Sequence, residues 1–447
     1  MSHSLGRRAV VIGAGIGGLA AAQVLADHFN EVVILERDDL PSTATPRAGV
    51  PQGRHTHLLL SGGLQALCDL FPNFSGNLAK AGAHAVDFGM QLDYNFPGQE
   101  SLPRRQLGIS SFAATRPLIE LAIRLRVKER RNIRFRSGCR VTEIVATPDG
   151  NAVASVSFMG RHGEPENLAA DMVVDASGRA MPTLEFLLAV GRVIPQDTVI
   201  RVDLAYSTAV YTLAPDAMPG TKALLTMASA PERSRSAMMV LREDNNWFVT
   251  LAGRGSDLPP ADSQGFLDFA QGLEIPTVHR AIKAGRLQSE ILRVAFPEIR
   301  RRHFERIGNL PRGLIPIGDS VCRFNPIHVQ GMSIAAQEAV VLRNLLARQA
   351  MQADPLDQLG QRFIAGIQPL IDTAWTLGAL PDLAHADAQG GRPADLDESL
   401  QYQVALYRAA LHEPSIHQLL MEVLNLTKPA SALAAEDIAE RVTARSD

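Results

Sequence analysis

The chain has little from which to build a disulfide framework or a metal site. Its 447 residues include three cysteines, Cys68, Cys139 and Cys322, and no two are closely spaced. They read as free thiols of a reducing compartment. No apolar run approaches the roughly 18 residues that a membrane-crossing helix needs, so no integral membrane segment is expected. No Lys/Arg block marks a nucleic-acid surface, and the formal net charge is only -3. The first residues, MSHSLGRRAVVIGAG, enter a buried-strand pattern at once and leave no room for a signal or transit peptide. The expectation is a soluble cytoplasmic protein, monomeric or homodimeric. What the chain does have is apolar content: 46 % is hydrophobic, enough for a large core divided over two or three units, at least one of them α/β.

The clearest motif lies in RRAVVIGAGIGGLAAAQVLADHFNEVVILER. Ala9 to Ile12 reads as a strand, Leu19 to His28 as a helix, and Glu31 to Leu35 as a second strand. Between the first two, Gly13, Gly15 and Gly18 fall in the order G-x-G-x-x-G. Gly13 allows a tight turn, Gly15 lets a pyrophosphate approach the backbone, and Gly18 lets helix and strand pack closely. The helix N-terminus presents free N–H groups to the phosphates. Glu36, closing the second strand, is placed to accept hydrogen bonds from an adenosine ribose. Strand, glycines, helix, strand and acid in this order point to dinucleotide binding.

Three hundred residues later a second glycine-aspartate site appears in PIGDSVCRFNPIHVQGMSIAAQEAV. With GAGIGG, ILER, TRPLIE and DMVVDASGR, it makes roughly residues 8 to 345 resemble the FAD-binding family of the glutathione-reductase type. The resembled branch contains aromatic-ring hydroxylases, squalene epoxidase, geranylgeranyl reductases and flavin-dependent halogenases. The resemblance implies a Rossmann-like α/β FAD domain of the aromatic-hydroxylase type, an inserted antiparallel sheet as substrate domain, and a C-terminal helical extension. The expected division is FAD domain at 1–85, 113–182 and 296–346, substrate-domain segments at 86–112 and 183–295, and a helical region at 347–447.

The same resemblance implies the cofactor contacts. They are Gly13, Gly15, Ile16 and Gly18 at the pyrophosphate, Glu36 and Arg37 at the adenosine, and Arg47 and Arg116 at phosphates or ribose. Asp175 runs against the cofactor, Asp319 meets the ribityl chain, and Gln330, Gly331 and Met332 meet the flavin edge. Carboxylates suit the sugar because its hydroxyls are donors. Backbone N–H groups at a helix start suit the charge of reduced flavin. Arg116 has a plainer alternative, an ion pair with Glu120. The loop Ser42–Gly53 is too polar to be core.

His55 and His57, two apart, share a side if extended. His55, His328 and Arg323 are the residues expected to shape the catalytic cavity. No third ligand accompanies the histidines, so no metal is expected. Ala85 to Phe96 reads as one strand. Ile200–Val210, Lys222–Met227, Ser236–Leu241 and Trp247–Ala252 read as the antiparallel substrate sheet.

The reaction that the resemblance implies is insertion of one oxygen atom from O2 into a hydrophobic aromatic or olefinic molecule, through a flavin C4a-hydroperoxide. NADPH or NADH is the reductant, used directly or through a partner reductase. Reduction of isoprenoid or enone double bonds is the second reading. Halogenation stands behind it, because the W-x-W-x-I-P signature is missing and the only tryptophans are Trp247 and Trp375. Non-redox cyclisation is the remaining alternative.

Overall fold

In a computed structural model, residues 4–96, 98–228 and 230–443 are described. The first sheet is fully parallel. Its strand order is Leu314–Pro316, Met172–Asp175, Gly6–Ile12, Phe29–Glu36, Ile133–Ser137. Strands buried on both faces read as unbroken apolar runs, and VVI, MVV and LIP obey that rule. Helix Ile16–Leu25 covers this sheet beside the long helix Gly331–Gln349. Ligands of such sheets lie beyond the C-terminal strand ends. Ile12, Glu36, Asp175 and Pro316 all stand there.

The second sheet has eight strands. Its path is Cys322–Arg323, Leu292–Arg302, Asp197–Thr212, Trp247–Arg254, Ser236–Leu241, Ala223–Thr226, Leu92–Asn95, with Arg286–Leu287 paired to Asp197–Thr212. It is mixed, because Leu92–Asn95 joins Ala223–Thr226 in parallel. Helices Ser263–Gln271 and Thr277–Ala284 fill its back with Phe266, Phe269 and Ile282 against Tyr211, Val249 and Leu251. A three-stranded antiparallel sheet (Arg140–Ala146, Val153–Met159, Pro165–Ala169) completes the β structure beside the pair His84–Asp87 and Ser110–Ala113.

Two sequence expectations change. Ala85 to Phe96 is not one strand: His84–Asp87 and Leu92–Asn95 belong to different sheets. The Asp87 carboxylate accepts from the N–H groups of Gly89 and Met90 and turns the chain between them. The second change is Leu292–Arg302, a long strand of the substrate sheet that crosses the expected 295/296 boundary. Pro297 is tolerated there because the pairing breaks at a bulge opposite it, between Arg201 and Leu204.

The C-terminal region is helical, with Leu359–Leu383, Leu396–His412, Pro414–Leu424 and Glu436–Thr443. Among the described residues no helix is long and apolar enough to cross a membrane. The three cysteines are free thiols, as the sequence suggests.

Candidate functional site

The residues expected to meet the cofactor lie at the C-terminal ends of the first sheet's strands and at the start of helix Gly331–Gln349. In the fingerprint Gly13 has φ +101°, a backbone that glycine alone adopts easily. A methyl group on Gly18 would stand 2.0 Å from the Gly13 carbonyl, so the helix sits directly on the turn. At Gly15 the space is open, and the Arg116 guanidinium stands 4.0 Å from where a methyl would be. Arg116 opens helix Arg116–Lys128, whose start is capped by Thr115. It does not pair with Glu120, which instead takes Arg47 at 2.8 Å and Arg124 at 3.7 Å. Its Nε is buried with no partner among the described residues. Burial lowers its pKa, opposed by Glu120 and Asp319. A half-buried guanidinium with no partner among the described residues, standing over an open glycine, fits an anionic ligand such as pyrophosphate.

Arg47 lies elsewhere. The loop Ser42–Gly53 is not wholly surface, because Arg47 is buried among Glu36 (3.0 Å), Asp38 (2.9 Å) and Glu120. Three carboxylates compensate one buried cation, which overrides the polarity of the segment. Glu36 is 5 % exposed and also accepts from the N–H groups of Ala14 (2.8 Å) and Asp38 (3.0 Å). A ribose would share this carboxylate with Arg47. Arg37 is exposed and donates to the Gly49 carbonyl. Asp175 is fully enclosed, and Ser177, Thr183 and Ser320 donate to its carboxylate. It ties the strand end to the 318–320 turn.

Asp319 stands on that turn, exposed yet surrounded by protein. The crowding raises its carboxyl above the ordinary value, against Arg116, Arg323, Arg179 and Arg302. The turn is held by Glu338, 0 % exposed in the middle of helix Gly331–Gln349, which accepts from the Gly318 N–H at 2.7 Å. Burial pushes the Glu338 carboxyl up to about 8; the Gly318 bond opposes the rise and Asp319 adds to it. Arg323 lies with its guanidinium 4.7 Å over the Phe296 ring and donates to the Glu298 carbonyl. Together with Arg179 it faces Tyr206 and Asp319.

His55 and His57 part company. His55 Nδ1 meets Thr208 Oγ1 at 2.9 Å, and its ring stands edge-on to Tyr206 at 4.8 Å. Burial and Arg54 push it down to about 4. Thr208 continues to Thr250 and Thr250 to Thr56, each 2.6 Å, so hydroxyls clamp this segment onto the substrate sheet. His57 bonds the His55 carbonyl and is pushed to about 3, by burial first and Arg116 next. Both rings are neutral near pH 7. Among the described residues no group of three or more His, Cys, Asp or Glu is arranged to hold a metal.

At the helix start Gln330 precedes Gly331, where a methyl would meet no atom within 4 Å. This is the space a planar ring beside the Gly331 and Met332 N–H groups would need. The loop before it is moored from behind. Asn325 accepts from the Ile327 N–H and donates to both oxygens of Asp382, at 2.8 and 2.9 Å. Asp382, fully buried in helix Leu359–Leu383, also receives Arg254 from the substrate sheet. His328 sits near this pair, its pKa lowered mainly by burial. In front of the loop lies a cavity of ≈ 60 Å³ lined by Phe88, Leu225, Met238, Leu377, Met421 and the loop itself.

The comparisons agree with this architecture. Residues 11–70 match the family described as NAD(P)-binding Rossmann-like domain. Protein Rv3254 of Mycobacterium tuberculosis is 29 % identical over 403 residues, covering 85 % of this chain and 81 % of that one. The flavin-dependent brominase Bmp2 superposes with TM-score 0.69 at 15 % identity, over 98 % of both chains. PqsL of Pseudomonas aeruginosa, a probable FAD-dependent monooxygenase, gives 0.65 at 15 %, over 86 % of this chain and 97 % of its own. The fold is that of FAD-dependent monooxygenases and halogenases.

Glu338, Asn325, Asp382 and Arg254 had no role in the sequence reading. Glu338 was findable: a carboxylate in the buried run IAAQEAVV demands a partner. Asp382 and Arg254 left no local signal, because their partners are 57 and 128 positions away.

Proposed function

We propose that the chain is an FAD-dependent monooxygenase that places one oxygen atom from O2 on a hydrophobic aromatic or olefinic small molecule. One observation carries the reading: a half-buried arginine with no partner among the described residues stands over the open Gly15 of the fingerprint, and the start of helix Gly331–Gln349 lies beside an apolar cavity. Arg116 and the start of helix Ile16–Leu25 hold the pyrophosphate. Glu36, with Arg47 behind it, accepts from the ribose, and Asp319 accepts from the ribityl hydroxyls. The Gly331 and Met332 N–H groups face the ring. Bound flavin supplies electron transfer from NADH or NADPH and activation of O2.

The chain's own residues position and exclude. Neutral His55 and His57 add no charge at the ring. Arg323 closes the side next to Tyr206. His328 and Gln330 border the apolar cavity. No side-chain nucleophile is needed, which accords with Cys322 being buried with its thiol pKa raised. The experiment is turnover of the purified chain with NADH or NADPH, with and without an added flavin reductase, under isotopically labelled O2. A panel of apolar phenols and olefins is assayed with bromide present. One labelled oxygen in the product supports the reading. A saturated or brominated product free of label would replace it with reduction or halogenation.

A further inference from the structure

The apolar cavity in front of the 325–331 loop holds two features that simple core packing does not explain. Val329 has φ +51° and ψ +22°, the left-handed region, where a β-branched side chain is an outlier. Its side chain packs against the cluster of Leu58, Phe88, Met238 and Met421, which is the cavity wall. Gln330 is 2 % exposed, lines the same cavity, and its Oε1 has no hydrogen-bond partner among the described residues. A buried amide left unsatisfied against an apolar chamber asks for a ligand group. Strained backbone of this kind persists where surrounding structure enforces it, and such sites cluster at ligand clamps.

We propose that Val329 is the plug that sets the size of molecule this chamber admits, and that Gln330 selects an uncharged apolar ligand carrying one hydroxyl. The inference deepens the proposed function by naming the substrate class and the residues that choose it. A hydroxyl satisfies the Gln330 amide whichever way the amide is turned. A charged ligand group would lack a counter-charge in the lining, because among the described residues no Lys, Arg, Asp or Glu borders the chamber and burial lowers the pKa of its one imidazole, His328. At ≈ 60 Å³ the chamber is smaller than a ring-sized ligand, so an occupant must displace side chains. Met238 and Met421 are the adaptable ones. Val329 is not, because its χ1 is stiff and its backbone is already strained.

The test uses binding, so it reads whether or not turnover is found. Phenol, 2-naphthol and 2-methylnaphthalene are titrated by calorimetry into the purified chain, Val329→Ala, Val329→Gly and Gln330→Leu. Visible flavin absorbance is recorded on each sample. Both Val329 variants are expected to bind 2-naphthol about tenfold more tightly while phenol changes little. Gln330→Leu should weaken 2-naphthol by about tenfold, as for one lost buried hydrogen bond, and leave 2-methylnaphthalene unchanged. Unchanged 2-naphthol binding in both Val329 variants would overturn the plug. Equal weakening of naphthol and hydrocarbon by Gln330→Leu would overturn the selection. Loss of flavin absorbance in the parent protein would count against the cofactor reading alone, since the titrations stand apart from it. Val329→Ala removes only the two methyl groups, so it keeps the test open if the glycine variant misfolds.

Discussion

The two ends of the candidate site are built in opposite ways. The phosphate end comes from one contiguous stretch, Gly6 to Glu36, with Arg116 added from a neighbouring helix. The ring end is drawn from four distant places: the 325–331 loop, Arg254 of the substrate sheet, Asp382 of a C-terminal helix, and Glu338 behind the Gly318 turn. The first is held by backbone geometry, which glycines impose locally. The second is held by buried polar side chains, among them the Arg254–Asp382 ion pair, which work only while every partner is present. The phosphate end should therefore tolerate distant changes, and the ring end should not.

The largest effect should come from Asp382→Ala. It strands Arg254 in the interior and frees Asn325, and removing one partner of a buried pair costs about 3–5 kcal/mol. Thermal or urea unfolding will show the loss. In any folded fraction the flavin spectrum should change more than FAD affinity, because only the ring end is released. Equal loss at both ends would erase the contrast.

Arg116→Ala should act the other way round. Charge-assisted hydrogen bonds are worth about 1.5–3 kcal/mol, so FAD affinity should fall about 10- to 150-fold by titration of the apoprotein. The apoprotein should be no less stable, because a half-buried cation with no partner among the described residues has been removed.

Glu338→Gln tests the ring end through pH. The folded carboxyl titrates near 8, above the ordinary carboxyl value of 4.5. The folded state therefore keeps a proton that the unfolded chain releases. The stability that Glu338 contributes is full below about pH 4.5 and is lost as pH rises through about 8. Glu338→Gln keeps an acceptor for the Gly318 N–H but has no proton to lose. Its unfolding free energy should be flatter between pH 5 and 8, and higher relative to the parent's at pH 8 than at pH 5. Parallel pH profiles would show that Glu338 is ionised in the folded chain.

The smallest effect is expected at Val329. A glycine there loses packing but relieves a left-handed strain of about 1–2 kcal/mol. Val329→Gly should be no less stable than Val329→Ala, although it removes more atoms. A Gly variant less stable than the Ala variant by over about 1 kcal/mol would mean that the strain is not real.

The same contrast decided what could be read from sequence. The two strands Ala9–Ile12 and Glu31–Leu35 and the fingerprint between them were legible because their signals lie within a few residues of one another. Asp319 and Gln330–Met332 are assigned to the cofactor through the resemblance, as one contiguous motif. The apolar alternation of Phe88 and Met90 hid the turn that Asp87 makes, and Pro297 hid the strand Leu292–Arg302. Arg47 shows the limit for a single residue. Its loop looks like surface, and only the convergence of Glu36, Asp38 and Glu120 from separate segments brings it inside. Long-range charge pairing leaves no period and no spacing to find.

The most direct measurement is of the cofactor itself: the visible spectrum of the purified chain, with the flavin released on heat denaturation identified and counted against protein. The account predicts a yellow protein that releases FAD in equal amount, or an apoprotein that quenches FAD fluorescence with one-to-one stoichiometry. A colourless protein that leaves FAD fluorescence unchanged would contradict it.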